Sequence, residues 1–179
     1  MKKKILILAA LTLATVVNAA SLNWNLANIY QPKTTTAAEG FSAYLFISAQ
    51  SGDFGVKTTT VSDINSLITS GGDWSQYVAA IGTTNNKGMI NGATGYNGNN
   101  FAAGDSLTAF AVVFDAANAE SAKNYFITAE KSASWTSGTG AKALGFASQA
   151  NATWTPVPEP STAVLALAGL ALLLKRRKA

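Results

Sequence analysis

The chain has 179 residues and a formal net charge of +4, with neither cysteine nor histidine. Cys/His zinc sites and nucleophiles that rely on a histidine base are therefore excluded, and no disulfide can form. The positive charge belongs to the two ends: residues 20–156 carry six lysines against eight acids, a net charge of −2, so no basic surface exists to neutralise phosphates and nucleic acid is not an expected partner.

The N-terminus opens with Lys2, Lys3 and Lys4, followed by the apolar run Ile5 to Leu13. Val17-Asn18-Ala19 then places tolerated residues before a cut. Residues 1–19 read as a secretory signal peptide handled by the Sec machinery, with cleavage after Ala19, or after Ala20 as the second choice. Residues 20–156 remain as one domain, long enough to bury a core.

In that domain Leu22, Trp24 and Leu26 alternate with Asn23, Asn25 and Ala27, which predicts a half-buried strand. Phe41 to Ser48 is an apolar run with aromatic residues on both phases, and predicts a second strand. Val61, Ile64, Leu67 and Ile68 fall at helical spacing. Thr60 with Asp63, or Ser62, is the expected cap and Gly71-Gly72 the expected stop. A second short helix is expected over 73–80, with Trp74, Tyr77, Val78 and Ile81 on one face. Thr83 to Asn100, with six asparagines and four glycines, predicts a loop or loose hairpin. Leu107 to Phe114, opened by the turn Gly104-Asp105, and Tyr125-Phe126-Ile127 predict two further strands. Ala152 to Thr155, with Trp154, predicts the last one, and Ala150 to Val157 a tether leading to the membrane. The fold class is mainly β: a small antiparallel β-sandwich with one or two short helices inserted after the second strand, plus the signal peptide and a C-terminal transmembrane helix.

Candidate ligand-binding residues are few. Four tryptophans (24, 74, 135 and 154) could stack on sugar rings, but Trp24, Trp74 and Trp154 are in phase with apolar residues and read as core. Trp135, between Ser134 and Thr136, is the one expected to be exposed. Asp53, Asp73 and Asp105 could offer oxygens to calcium, but no calcium-loop spacing is present and such acids ordinarily shape turns. No metal, cofactor or catalytic residue is assigned, and the eight scattered acids do not suggest an enzyme.

The C-terminal segment, 157–179, is organised in three parts. Pro158-Glu159-Pro160 holds the backbone extended. Ser161 to Leu174 is an apolar helix of 14 residues, roughly 21 Å long at about 1.5 Å per residue, against the roughly 20 residues of an ordinary span. Lys175, Arg176, Arg177 and Lys178 form a basic stop that stays cytoplasmic. This arrangement resembles the PEP-CTERM sorting signal of Gram-negative-type bacteria. The resemblance implies recognition of Pro158, Glu159 and Pro160 by an exosortase, with transient anchoring in the inner membrane. The domain, through A-Y-L-F-I (43–47), G-D-S-L-T-A-F-A-V-V-F-D (104–115) and A-K-N-Y-F-I-T (122–128), is similar to small exported proteins sharing this tail in the Planctomycetes–Verrucomicrobia–Lentisphaerae group. The implied function is an exported cell-surface or extracellular-matrix protein, structural or interacting; the alternative is a carbohydrate-binding module with exopolysaccharide as its ligand.

Overall fold

The computed structural model describes residues 20–52, 54–98, 103–134 and 140–158. The expected signal peptide 1–19 with its cleavage residue Ala19, Asp53, Trp135, and everything from Glu159 onward lie outside them, including the 161–174 segment and Lys175 to Lys178. Among the described residues no helix is long and apolar enough to cross a membrane.

Among the described residues there are nine strands and one α-helix: β1 (Ala20–Ala27), β2 (Ser42–Ser51), α1 (Val61–Ser70), β3 (Val78–Thr83), β4 (Ile90–Gly98), β5 (Ser106–Phe114), β6 (Asn124–Ile127), β7 (Lys131–Ser134), β8 (Gly140–Ser148) and β9 (Thr155–Pro156). They form two sheets. One has the order β4-β1-β8; the other runs β3-β2-β5-β6-β9, with β7 also paired to β5. The fold is mainly β, as the alternating patterns require.

β2 and β5 explain the architecture. They pair antiparallel from Ser42↔Phe114 to Ser51↔Ser106, and both faces of the pair are buried. Side chains alternate across a strand, so each strand feeds two cores. Ala43, Leu45 and Ile47 of β2, with Leu107, Ala109, Ala111 and Val113 of β5, meet Leu22, Trp24, Leu26, Ile90 and Leu144 of the three-stranded sheet. The opposite phase, Phe46, Phe110, Val112 and Phe114, packs with Tyr125 under Ile64 and Ile68 of α1. A strand covered on both sides reads as a nearly continuous apolar run, which is what Leu107 to Phe114 is.

Among the described residues the buried alanines all lie in the inner core. The inner core sets alanines against the fully buried Trp24, and Gly82 leaves the room that its indole fills: a Cβ there would stand 3.1 Å from the ring. The outer core is aromatic. Phe46 stacks on Phe110 at 5.4 Å, and Trp74 on Phe114 at 5.7 Å with 15° between planes.

α1 follows its sequence signals. Thr60 caps the start by accepting from the Asp63 N–H at 3.1 Å. Gly71, at φ 69°, turns the chain out, and the Gly72 N–H donates to Leu67 O at 2.8 Å. The Tyr125 hydroxyl donates to Asn65 Oδ1 at 2.7 Å, tying α1 to β6. Burial pushes the Tyr125 phenol above its ordinary range.

Three expectations need correction. The second helix over 73–80 is a single 3₁₀ turn, Ser75–Tyr77, followed at once by β3. Val78 and Ala80 pair with Phe46 and Leu45, so completing the sheet beside β2 overrides the helical spacing. The loop or loose hairpin expected over 83–100 is, in its described residues, a turn in which Asn85 Oδ1 accepts from the Lys87 and Met89 N–H groups, followed by β4, antiparallel to β1. The sandwich is also not wholly antiparallel, because β8 runs parallel to β1 from Ala20↔Gly140 to Ala27↔Ser148.

Gly88 sits where two chain segments meet. Its carbonyl accepts from the Ile29 N–H at 3.0 Å. Its φ is +66°, and a Cβ would lie 2.1 Å from Ile29 O. Gly88→Ala combines left-handed strain with a clash against backbone. It is expected to lower stability by about 3 kcal/mol, read as a fall in the thermal midpoint. An unchanged midpoint would contradict the close packing of these segments.

Candidate functional site

The segment expected to carry the C-terminal signal follows directly on the last strand of the larger sheet. Asp115, just after β5, holds the start of β6: its Oδ1 accepts from the Lys123 and Asn124 N–H groups at 2.8 and 2.9 Å, and its Oδ2 from Asn124 Nδ2 at 2.6 Å. The free side of β6 then receives β9, with Asn124↔Pro156 and Tyr125↔Thr155 as partners. Proline fits here because an edge strand does not need every donor. The Val157 N–H donates to Lys123 O at 2.9 Å, and the Val157 side chain packs half-buried against the outer core. Pro158 is exposed.

The expected tether over 150–157 is therefore docked chain. The last strand is β9, one residue beyond Trp154, and the indole lies half-buried with Phe126 at 4.8 Å and Phe41 at 5.8 Å, both at 88°. Of the other tryptophans, Trp24 is core, as expected, and Trp74 belongs to the outer core.

A second feature was not visible in the sequence. The loop after β1 and the turn after β8 border an open, cleft-like cavity of about 580 Å³, lined by Tyr30, Gln31, Lys33, Gln149 and Trp154 together with the threonines 34–36. The parallel pairing of β1 and β8 places both connections at the same end of the small sheet. Direct bonds join them: the Gln149 N–H donates to Ala27 O at 2.9 Å and Asn28 Nδ2 to Ser148 Oγ at 2.8 Å. The loop is internally bonded by Gln31 N–H to Thr36 O at 2.9 Å, Thr34 N–H to Gln31 O at 3.1 Å, and the Tyr30↔Ala37 bridge.

Of the acids weighed as calcium ligands, Asp73 shapes a turn. Asp73 Oδ1 accepts from the Ser75 N–H and hydroxyl at 2.9 and 2.6 Å, bonds that hold its carboxyl below the ordinary value. Asp105 lies against Gly52, across the turn from β2. Among the described residues no group of three His, Cys, Asp or Glu side chains could hold a metal ion.

Comparison with known proteins bears on the C-terminal end. The PEP-CTERM protein-sorting motif matches residues 156–178, beginning at the last residue of β9. No curated protein and no solved structure matches the chain. The motif supports an exported protein sorted by an exosortase towards the cell surface.

Removing the Asp115 carboxylate should loosen this end of the molecule. Asp115→Ala is expected to cost about 2 kcal/mol in denaturant unfolding, since hydrogen bonds to a charged acceptor are the stronger kind. It should also speed protease cutting between 154 and 158, mapped by mass spectrometry. Equal stability and unchanged cutting would show that β9 is held by other means.

Proposed function

We propose that the chain is the precursor of an exported surface or matrix protein, trimmed at both ends. The Sec machinery takes the signal peptide 1–19 and cleavage follows Ala19. Residues 20–156 fold outside the inner membrane. The 161–174 helix anchors the precursor transiently, stopped by Lys175, Arg176, Arg177 and Lys178. An exosortase then reads Pro158, Glu159 and Pro160 and cuts nearby. The observation that carries this reading is the sorting motif at 156–178.

The fold adds a spatial constraint. Val157 is still bonded to the sheet, and the apolar segment begins at Ser161. The four steps from Val157 to Ser161 span at most about 14 Å when extended, at roughly 3.6 Å each. The precursor domain would thus sit against the membrane surface, with its signal confined to a short exposed bridge. Prolines keep that bridge extended, the form in which a peptide usually enters a groove. Glu159 keeps it out of the bilayer and supplies one charge for recognition.

The domain's own role is structural or one of surface interaction. A second reading, a carbohydrate-binding module, is favoured by the polar, aromatic-walled cavity beside Trp154.

Replacing Pro158, Glu159 and Pro160 together by alanine should block C-terminal trimming and leave the domain folded. Without the prolines the helix can extend from 158 to Leu174, which is 17 residues or roughly 25 Å, closer to a full span. Intact-mass measurement on membrane and released fractions should find the variant uncut in the inner membrane. Trimming at the normal rate would show that these residues are not the signal.

A further inference from the structure

We propose that the cavity between the β1–loop and the β8–turn binds an acidic saccharide, a chain bearing uronate sugars, with Trp154 and Tyr30 as its aromatic wall and Lys33 as its carboxylate partner. This rests on the carbohydrate-binding reading above and moves the binding residues away from Trp135.

Size and chemistry agree. A cavity of about 580 Å³ lies in the roughly 300–1,000 Å³ range of small-ligand sites. Its wall joins two aromatic rings to two side-chain amides and a row of hydroxyls. Amides both donate and accept, so Gln31 and Gln149 suit sugar hydroxyls, which do the same. The apolar face of a pyranose packs on an aromatic ring. Trp154 is suited to that role because Phe41 and Phe126 cover part of the indole and fix it, while the rest forms cavity wall. A pinned ring binds without the entropy cost of ordering it.

The charge points to the acidic class. Among the described residues Lys33 is the one charged residue lining the cavity, in a domain whose net charge is negative. A carboxylate on the sugar would meet a cation there and no opposing acid among the lining residues.

The backbone gives an independent argument. Among the described residues two non-glycine residues have positive φ, Asn28 at 56° and Lys33 at 62°, and both belong to the segment that builds this wall. Asparagine tolerates that conformation; lysine rarely adopts it. The strain is held by the Gln31–Thr36 bonds, and strain of this kind gathers at ligand clamps. Here it fixes where the Lys33 stem leaves the loop.

The test uses the full chain in a zwitterionic detergent, with a chelator present to exclude calcium bridging. Calorimetry would measure binding of an alginate hexamer as the uronate probe and cellohexaose as the neutral one. The proposal expects the alginate hexamer to bind at least tenfold more tightly, and to weaken as salt is raised. Trp154→Ala should abolish binding. Because that change removes a packed ring, two exposed positions serve as controls that leave folding intact. Lys33→Asn, whose new residue accepts the positive φ, should weaken the alginate hexamer at least fivefold and leave cellohexaose unchanged; Gln31→Ala should weaken both. Equal binding of the two probes, insensitive to Lys33→Asn, would overturn the acidic-sugar assignment while leaving a carbohydrate module standing. Binding of neither would overturn both. Binding undiminished in Gln31→Ala and Trp154→Ala would place the site elsewhere.

Discussion

Burial of the β2–β5 pair on both faces is the constraint from which the rest of the molecule follows. A sheet with one apolar face needs one cover; this one needs two. The inner face carries Leu45, Ile47, Leu107 and Val113, the outer face Phe46, Phe110, Val112 and Phe114, all nearly inaccessible to water. Each large side chain is worth roughly 1.5–3 kcal/mol when fully buried, so neither face can be left open in a domain of this size. The three-stranded sheet covers one and α1, with Trp74 and Tyr77, the other. The domain is accordingly three layers deep at its centre, and its edges are where function is available.

Those edges behave differently. At β6 the sheet is extended by two residues of β9 and one further bond at Val157, so the fold runs into the sorting signal without a linker. The matched sorting motif and the last strand share Pro156. At the far end of the small sheet, the parallel β1–β8 pair brings two connections together from positions about 120 residues apart in the chain. That juxtaposition creates the cavity, and neither connection would form one alone.

The strands legible in the sequence were those that feed the double core. Leu107 to Phe114 and Phe41 to Ser48 announce themselves because both phases are apolar; Leu22, Trp24 and Leu26 do so by clean alternation. α1 was legible to its caps, since Thr60 and Gly71 act through local bonds. β4 was hidden because Ile90 to Gly98 is rich in asparagine and glycine, residues poor in strand propensity, and is held through backbone pairing to β1. β7 and β8 lacked bulk; only Leu144 and Phe146 mark the latter. The helical spacing of Trp74, Tyr77 and Val78 misled because those residues do share a core, but reach it from a turn and an edge strand. The sorting motif was legible, being a linear peptide read without a fold. The cavity was not, since its residues meet only through a parallel pairing that no local pattern encodes. Trp154 was read as core and is core on one side alone.

Native-state hydrogen exchange tests the primacy of the doubly covered pair most directly. The account predicts that the amides of Leu45, Phe46, Ala111 and Val112 exchange last, and only through global unfolding, while those of β9 and of the β1–β4 pair open earlier through local fluctuations. If the amides of β1 and β4 proved the most protected, and those of Ala111 and Val112 exchanged by local opening, the β2–β5 pair would not be the element on which the fold depends.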